Sequence, residues 1–198
     1  MSARLPTKIL FFIVCATLFS PSATVAQSIS SEQQQFCNII ISARAQFKAF
    51  RTELAATSNP IVRQEISQRA NNFSSSAIAA LQNFINNHLN IDGFLGTVAF
   101  IGANTRGGSG ANVLTVLDCP PHPKEVIIQF EMRFDARLDP VNWAAIGPFL
   151  DVLRAIKKSD RLMFSGTWGF YEKSRGAHFG DDNNPAQFVF ITSKLTKL

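Results

Sequence analysis

Residues 126–134 alternate without a break. Val126, Ile128, Phe130, Met132 and Phe134 fall on one parity, and Ile127, Gln129, Glu131 and Arg133 on the other. A period of two is that of a β-strand with one buried face. The register is firmly set, because a slip of one residue would bury Gln129, Glu131 and Arg133 together. Residues 162–171 repeat the pattern, with Leu162, Phe164, Gly166, Trp168 and Phe170 on one face and Met163, Ser165, Thr167 and Gly169 on the other. Runs 94–102, 112–118 and 187–193 also read as strands. A helical segment over 143–158, with Ile146, Phe149, Leu150, Leu153 and Ile156 apolar, separates the third strand from the fourth. The order is three strands, a helix, then two strands.

Ahead of this region, 32–90 reads as two long helices. Ser30 or Ser31 followed by Gln33 or Gln34 has the form of a capping box. Phe36, Ile40, Ala43, Phe47, Phe50 and Leu54 then recur at steps of three and four as one amphipathic seam, with Arg44, Lys48 and Arg51 off it. Asn59-Pro60 supplies a cap and a first helical residue for the second helix. That helix is expected to turn Ile61, Ile66, Ala70, Phe73, Ile78, Leu81, Ile85 and Leu89 to a core, with Ser74-Ser75-Ser76 either breaking or merely kinking it.

The chain opens with Arg4 and Lys8, an apolar run over 9–19, and a small-residue stretch ending at Ala26. This is the succession of a secretory leader cleaved after Ala26. The run is shorter than the roughly 20 residues that span a bilayer, and no second long apolar run follows. The organisation expected is therefore a signal peptide over 1–26, a helical region over 27–90 and a barrel domain over 91–198, in an α+β fold. Arg4 and Lys8 leave with the leader, so the formal net charge falls from +5 to +3. That is too weak to imply a nucleic-acid partner. Export also places Cys37 and Cys119 in an oxidising compartment. The pair either bridges, closing a loop worth about 4 kcal/mol in the chain-entropy model, or lies as two separate buried thiols.

The strand–helix–strand order matches a five-stranded oligonucleotide/oligosaccharide-binding (OB) barrel. Phe94-Leu95-Gly96-Thr97-Val98 and the segment 156–167, with its basic turn before Phe164-Ser165-Gly166-Thr167, resemble secreted bacterial OB-fold proteins of the tRNA-anticodon-like or bacterial OB-fold kind. The resemblance covers the C-terminal part alone. It implies a barrel whose inserted helix plugs one end and a binding or adaptor module, and it transfers no functional residue.

Motifs for catalysis are scarce. Segment 102–109 echoes a phosphate-binding loop, but Gly108 stands where the lysine belongs and a strand follows, so it reads as a glycine-rich hairpin. His88, His122 and His178 lack metal-ligand spacing. His178, Asp181 and Asp182 share a polar loop with too few ligands for a cation. No Gly-x-Ser-x-Gly element occurs, and no cofactor motif is present. Arg154, Lys157, Lys158 and Arg161 at the end of the inserted helix form an anion-contact patch or simply complement that helix's C-terminus. OB barrels stack bases on aromatic residues of strands two and three. The outer parity of the third strand has none, and most of the 18 phenylalanines fall in core register. These observations point to a periplasmic or secreted, non-enzymatic binding or adaptor protein, with an envelope protein or glycan rather than nucleic acid as partner. The alternative is an enzyme acting on an envelope polymer through an acid–base or metal site near Glu131, His122, His178 and Asp181.

Overall fold

The computed structural model describes residues 28–104, 110–120, 127–133, 147–169, 179 and 185–198. Two helices come first, α1 (Ser31–Ala56) and α2 (Pro60–Asn87). Five strands follow, β1 (Asn90–Asn104), β2 (Gly110–Leu117), β3 (Ile128–Arg133), β4 (Arg161–Trp168) and β5 (Ala186–Lys197). A 3₁₀ turn, Gly147–Phe149, leads into the short helix α3 (Leu150–Ala155) between β3 and β4. The strands close into a barrel in the order β1-β2-β3-β5-β4, with β3 and β5 parallel and every other pair antiparallel. This is the α+β, OB-like architecture expected from the strand order. The leader over 1–26 and the glycine-rich hairpin over 105–109 lie outside the described residues.

Caps set the helix ends. The Ser30 hydroxyl accepts from the Gln33 amide at 3.1 Å, and Asn59 accepts from Ile61 and Val62 ahead of Pro60. Arg63 donates to the carbonyls of Leu54 and Thr57, covering the C-terminus of α1. Of the two readings of the serine run, the break does not occur. Helix α2 runs through Ser74–Ser76 because Ser75 and Ser76 return their hydroxyls to the carbonyls of Asn71 and Asn72, four residues back. Ile61 and Leu89, expected to face a core, are exposed. Ile61 sits in the first turn of α2, and Leu89 lies in the corner between α2 and β1. Arg44, expected off the seam of α1, is buried along with Phe36, Cys37, Ile40 and Ala43. The buried stripe is wider than one heptad seam because α1 packs on both α2 and the barrel.

Strand β1 closes the barrel by bending. Its first half pairs with β4 and its second with β2, with bulges between Ile91 and Phe94 and between Val98 and Phe100. Gly93 occupies the first bulge at φ 67°, where a side chain is disfavoured. At Gly166 a Cβ would lie 2.0 Å from the carbonyl oxygen of Ile191, so only glycine lets β5 approach β4 there. Ile128, Phe130 and Met132 point inward, as the alternation requires, and Glu131 is half-buried on the outer face.

The ring seated among the barrel phenylalanines comes from α1. Phe36 is fully buried, with ring centroids 5.1–6.4 Å from Phe84, Phe94, Phe130, Trp168 and Phe188. Three residues earlier, buried Gln33 donates to the carbonyls of Leu95 (2.8 Å) and Asp118 (2.7 Å) and accepts from the Leu95 amide (2.7 Å). The capping box is thus half made, since the Gln33 side chain docks the helix on β1 and β2. One residue beyond Phe36, Cys37 is joined to Cys119 by a disulfide, with Cα atoms 5.6 Å apart. Gln33, Phe36 and Cys37 share one helical face, so a single turn of α1 carries a hydrogen-bond clamp, a plug and a covalent tie. Of the expected 143–158 helix, the described part holds a 3₁₀ turn over Gly147–Phe149 and α-helix over Leu150–Ala155. Residues 143–146 lie outside the described set, and α3 stops at Ala155 because Ile156 is extended and Ser159 turns at φ 74°. Phe149, Leu153 and Ile156 are buried in the shared core.

Candidate functional site

A cleft of about 590 Å³ opens where the start of α1 meets the junction of α2 and β1. Glu32 contributes from the first turn of α1, and 86–92 contribute from the other side. The wall is held by its own backbone and by the core. Trp168 donates its indole N–H to the carbonyl of His88 at 2.7 Å, and the His88 ring stacks on Phe84 at 4.3 Å. His88 Nδ1 lies 2.9 Å from the Phe84 carbonyl oxygen. A carbonyl only accepts, so Nδ1 carries the proton, and in the neutral ring Nε2 is an acceptor. Asp92 accepts from the Ser165 hydroxyl at 2.6 Å, and that hydroxyl accepts in turn from the Gly93 amide at 3.0 Å. The β1 bulge thereby fixes the Asp92 carboxylate at the rim.

The cleft is rich in hydrogen-bond acceptors. The backbone N–H of Glu32 itself, followed by the Ser30 hydroxyl, holds the Glu32 carboxyl below the usual carboxylate range. Asn87 spends one amide N–H on Asn83 at 3.2 Å, leaving the other N–H and its carbonyl oxygen. Asn86 and Asn90 have no side-chain hydrogen bond among the described residues. Leu89 adds an exposed apolar surface. No lysine or arginine lines the cleft. The sequence signal for this wall is the run Asn86-Asn87-His88-Leu89-Asn90, which periodicity alone reads as a fraying helix end.

The described residues of the anion-contact patch, and Glu131, lie outside this cleft. Arg161 donates through Nε and Nη2 to Asp118 at 3.2 and 2.9 Å, so its charge is matched. Arg154 lies on α3, 4.0 Å from Asp151, with both side chains solvent-exposed. Lys157 and Lys158 fall in the turn after α3 and make no ion pair among the described residues. The anion-contact patch is thus divided between a helix, a turn and a strand. Glu131 sits on the outer face of β3, in register with Leu114 and Val189, and is not part of the cleft. His122, His178, Asp181 and Asp182 lie outside the described residues. Among the described residues, no group of three His, Cys, Asp or Glu is placed to hold a metal ion.

One phenylalanine departs from the core reading. Parity places Phe100 with Phe94 and Val98, yet it is 50% exposed. The bulge between Val98 and Phe100 inserts one residue and turns Phe100 outward, opposite Leu114. No family model matches the chain, and neither the curated proteins nor the solved structures contain a match.

Proposed function

We propose that the chain is an exported, non-enzymatic binding or adaptor protein of the cell envelope whose ligand seats in the cleft at the helix–barrel junction. The observation that carries this reading is the contrast within the cleft. Its backbone is fixed by Trp168, Phe84 and the Asp92–Ser165 bond, while Asn86, Asn90 and Leu89 are left facing solvent. Polar groups held on rigid elements with unused hydrogen-bonding capacity are what a binding site requires. Export is supported by the leader pattern over 1–26 and by a buried disulfide of the kind that persists in oxidising compartments. The resemblance of the C-terminal part to secreted bacterial OB-fold proteins fits the same reading. No helix among the described residues is long and apolar enough to cross a membrane.

The enzymatic alternative needs a convergent acid–base or metal site near Glu131, His122, His178 and Asp181; of these, Glu131 lies on the outer face of β3, away from the cleft, and the others are outside the described residues. The partner on this reading is an envelope protein or glycan, not nucleic acid. Co-sedimentation of the mature protein with fractionated envelope material tests it. The wild type should be retained by one fraction, and the double variant Asn86→Ala/Asn90→Ala should be released. Retention unchanged in that variant would refute the cleft as the site, and turnover of the retained material would replace the binding reading with the enzymatic one.

A further inference from the structure

We infer that the cleft takes a non-anionic saccharide, bound through its hydroxyl groups and favoured further by an amino substituent. The inference rests on the binding-protein reading and adds the ligand's chemical class. It follows from counting donors and acceptors. On the acceptor side stand the remaining lone pairs of the Glu32 carboxylate, the second oxygen of Asp92, the Asn87 carbonyl and, in the neutral ring, His88 Nε2. On the donor side stand the amide groups of Asn86 and Asn90, which bring a carbonyl acceptor each, and the second N–H of Asn87. An acceptor-rich wall needs a ligand rich in donors. Each sugar hydroxyl offers one donor and two acceptor lone pairs, so it can satisfy carboxylates and amides alike.

Charge narrows the class. Carboxylates and phosphates are ordinarily held by arginine, lysine or a helix N-terminus free to donate. No lysine or arginine lines this cleft, and its one histidine, His88, has Nδ1 committed to the Phe84 carbonyl and faces Glu32. The first turn of α1 is already covered by the Ser30 hydroxyl and the Glu32 carboxylate. An anionic ligand would also face Glu32 and Asp92. A protonated amine would meet them favourably, by an amount that salt reduces. Leu89 completes the fit. It is 62% exposed at the α2–β1 corner, where an apolar side chain can lie against the C–H face of a sugar ring. The volume of about 590 Å³ falls within the range of sites for small ligands.

The test is calorimetric titration of the mature, disulfide-intact protein with three oligosaccharides of equal length, built from glucosamine, from N-acetylglucosamine and from a uronic acid. The first two should bind, glucosamine more tightly and with the stronger salt dependence. The uronic acid oligomer should bind at least about tenfold more weakly. Asn86→Ala or Asn90→Ala should each weaken both binding oligomers about three- to tenfold. Glu32→Gln should reduce glucosamine affinity more than N-acetylglucosamine affinity. All three side chains are exposed, and thermal melts of the variants establish that they remain folded. Tighter binding of the uronic acid oligomer would overturn the ligand class while leaving the cleft as a site. Saccharide binding that is indifferent to all three variants would overturn the location. No saccharide binding, with envelope retention still lost in the Asn86→Ala/Asn90→Ala variant, would overturn the class and leave the binding-protein reading standing.

Discussion

Replacement of Phe36 by alanine should be the most damaging single change in α1. The ring is fully buried and meets rings from five other elements, Phe84 of α2, Phe94 of β1, Phe130 of β3, Trp168 of β4 and Phe188 of β5. A site enclosed from so many directions cannot collapse onto the space left behind, so the cavity cost adds in full to the lost burial. Phe→Ala in such a setting costs about 3–5 kcal/mol. For a chain of this size each kcal/mol lowers the melting temperature by about 2–4 °C, so the variant should melt roughly 6–20 °C below the wild type. Phe100→Ala is the control. That ring is half exposed on the outer face of β1, and its removal should cost less than about 1 kcal/mol. Thermal and urea melts under non-reducing conditions compare the two, because the Cys37–Cys119 bond then keeps α1 tethered and the difference reports packing alone. A loss at Phe100 equal to or larger than that at Phe36 would refute both the seating of α1 and the bulge that turns Phe100 outward.

Further outcomes follow from the same structure. Phe130→Ala should cost about 3–5 kcal/mol, and Glu131→Ala, on a half-buried outer position, much less in the same urea melts; the reverse order would mean either that the β3 register is wrong or that Glu131 sits in a buried network. Non-reducing peptide mapping of the exported protein should recover Cys37 linked to Cys119, and reduction should remove about 4.5 kcal/mol, the chain-entropy value for a separation of 82 residues; free thiols alkylated without reductant would refute the bond. The Lys197 ammonium, with the Lys157 amide, holds the Asp160 carboxyl below its usual range. A depressed folded-state pKa stabilises the protein above the ordinary aspartate value, and that stability is lost as pH falls through the depressed value. Asp160→Asn should therefore flatten the acid side of the stability curve, and an unchanged acid limb would count against the contact. Intact-mass measurement should find the exported chain beginning near Gln27, and full-length protein recovered from membranes would refute cleavage.

The local elements were legible because their causes are local. Alternation alone placed Phe130 inside and Glu131 outside, since the pleat sends successive side chains to opposite faces. Asn59-Pro60 marked the start of α2 because a side-chain cap and a residue without an N–H both suit that position. Strand order then led to the barrel. What the sequence could not supply depended on residues far apart in the chain meeting in space. Unbroken alternation from Phe94 would carry Phe100 to the core side, and only the pairing of β1 with β2 creates the bulge that turns it outward. Gln33 carried a capping signal, yet its amide is spent on Leu95 and Asp118, 62 and 85 residues away. The cysteine pairing turned on a distance that no spacing fixes. The cleft joins the first turn of α1 to the end of α2 and the start of β1, so its residues became a site only when the hairpin docked on the barrel. Sequence determines periodicity and caps through nearest neighbours, whereas bulges, clamps and clefts are set by closure of the sheet and the seating of α1 upon it.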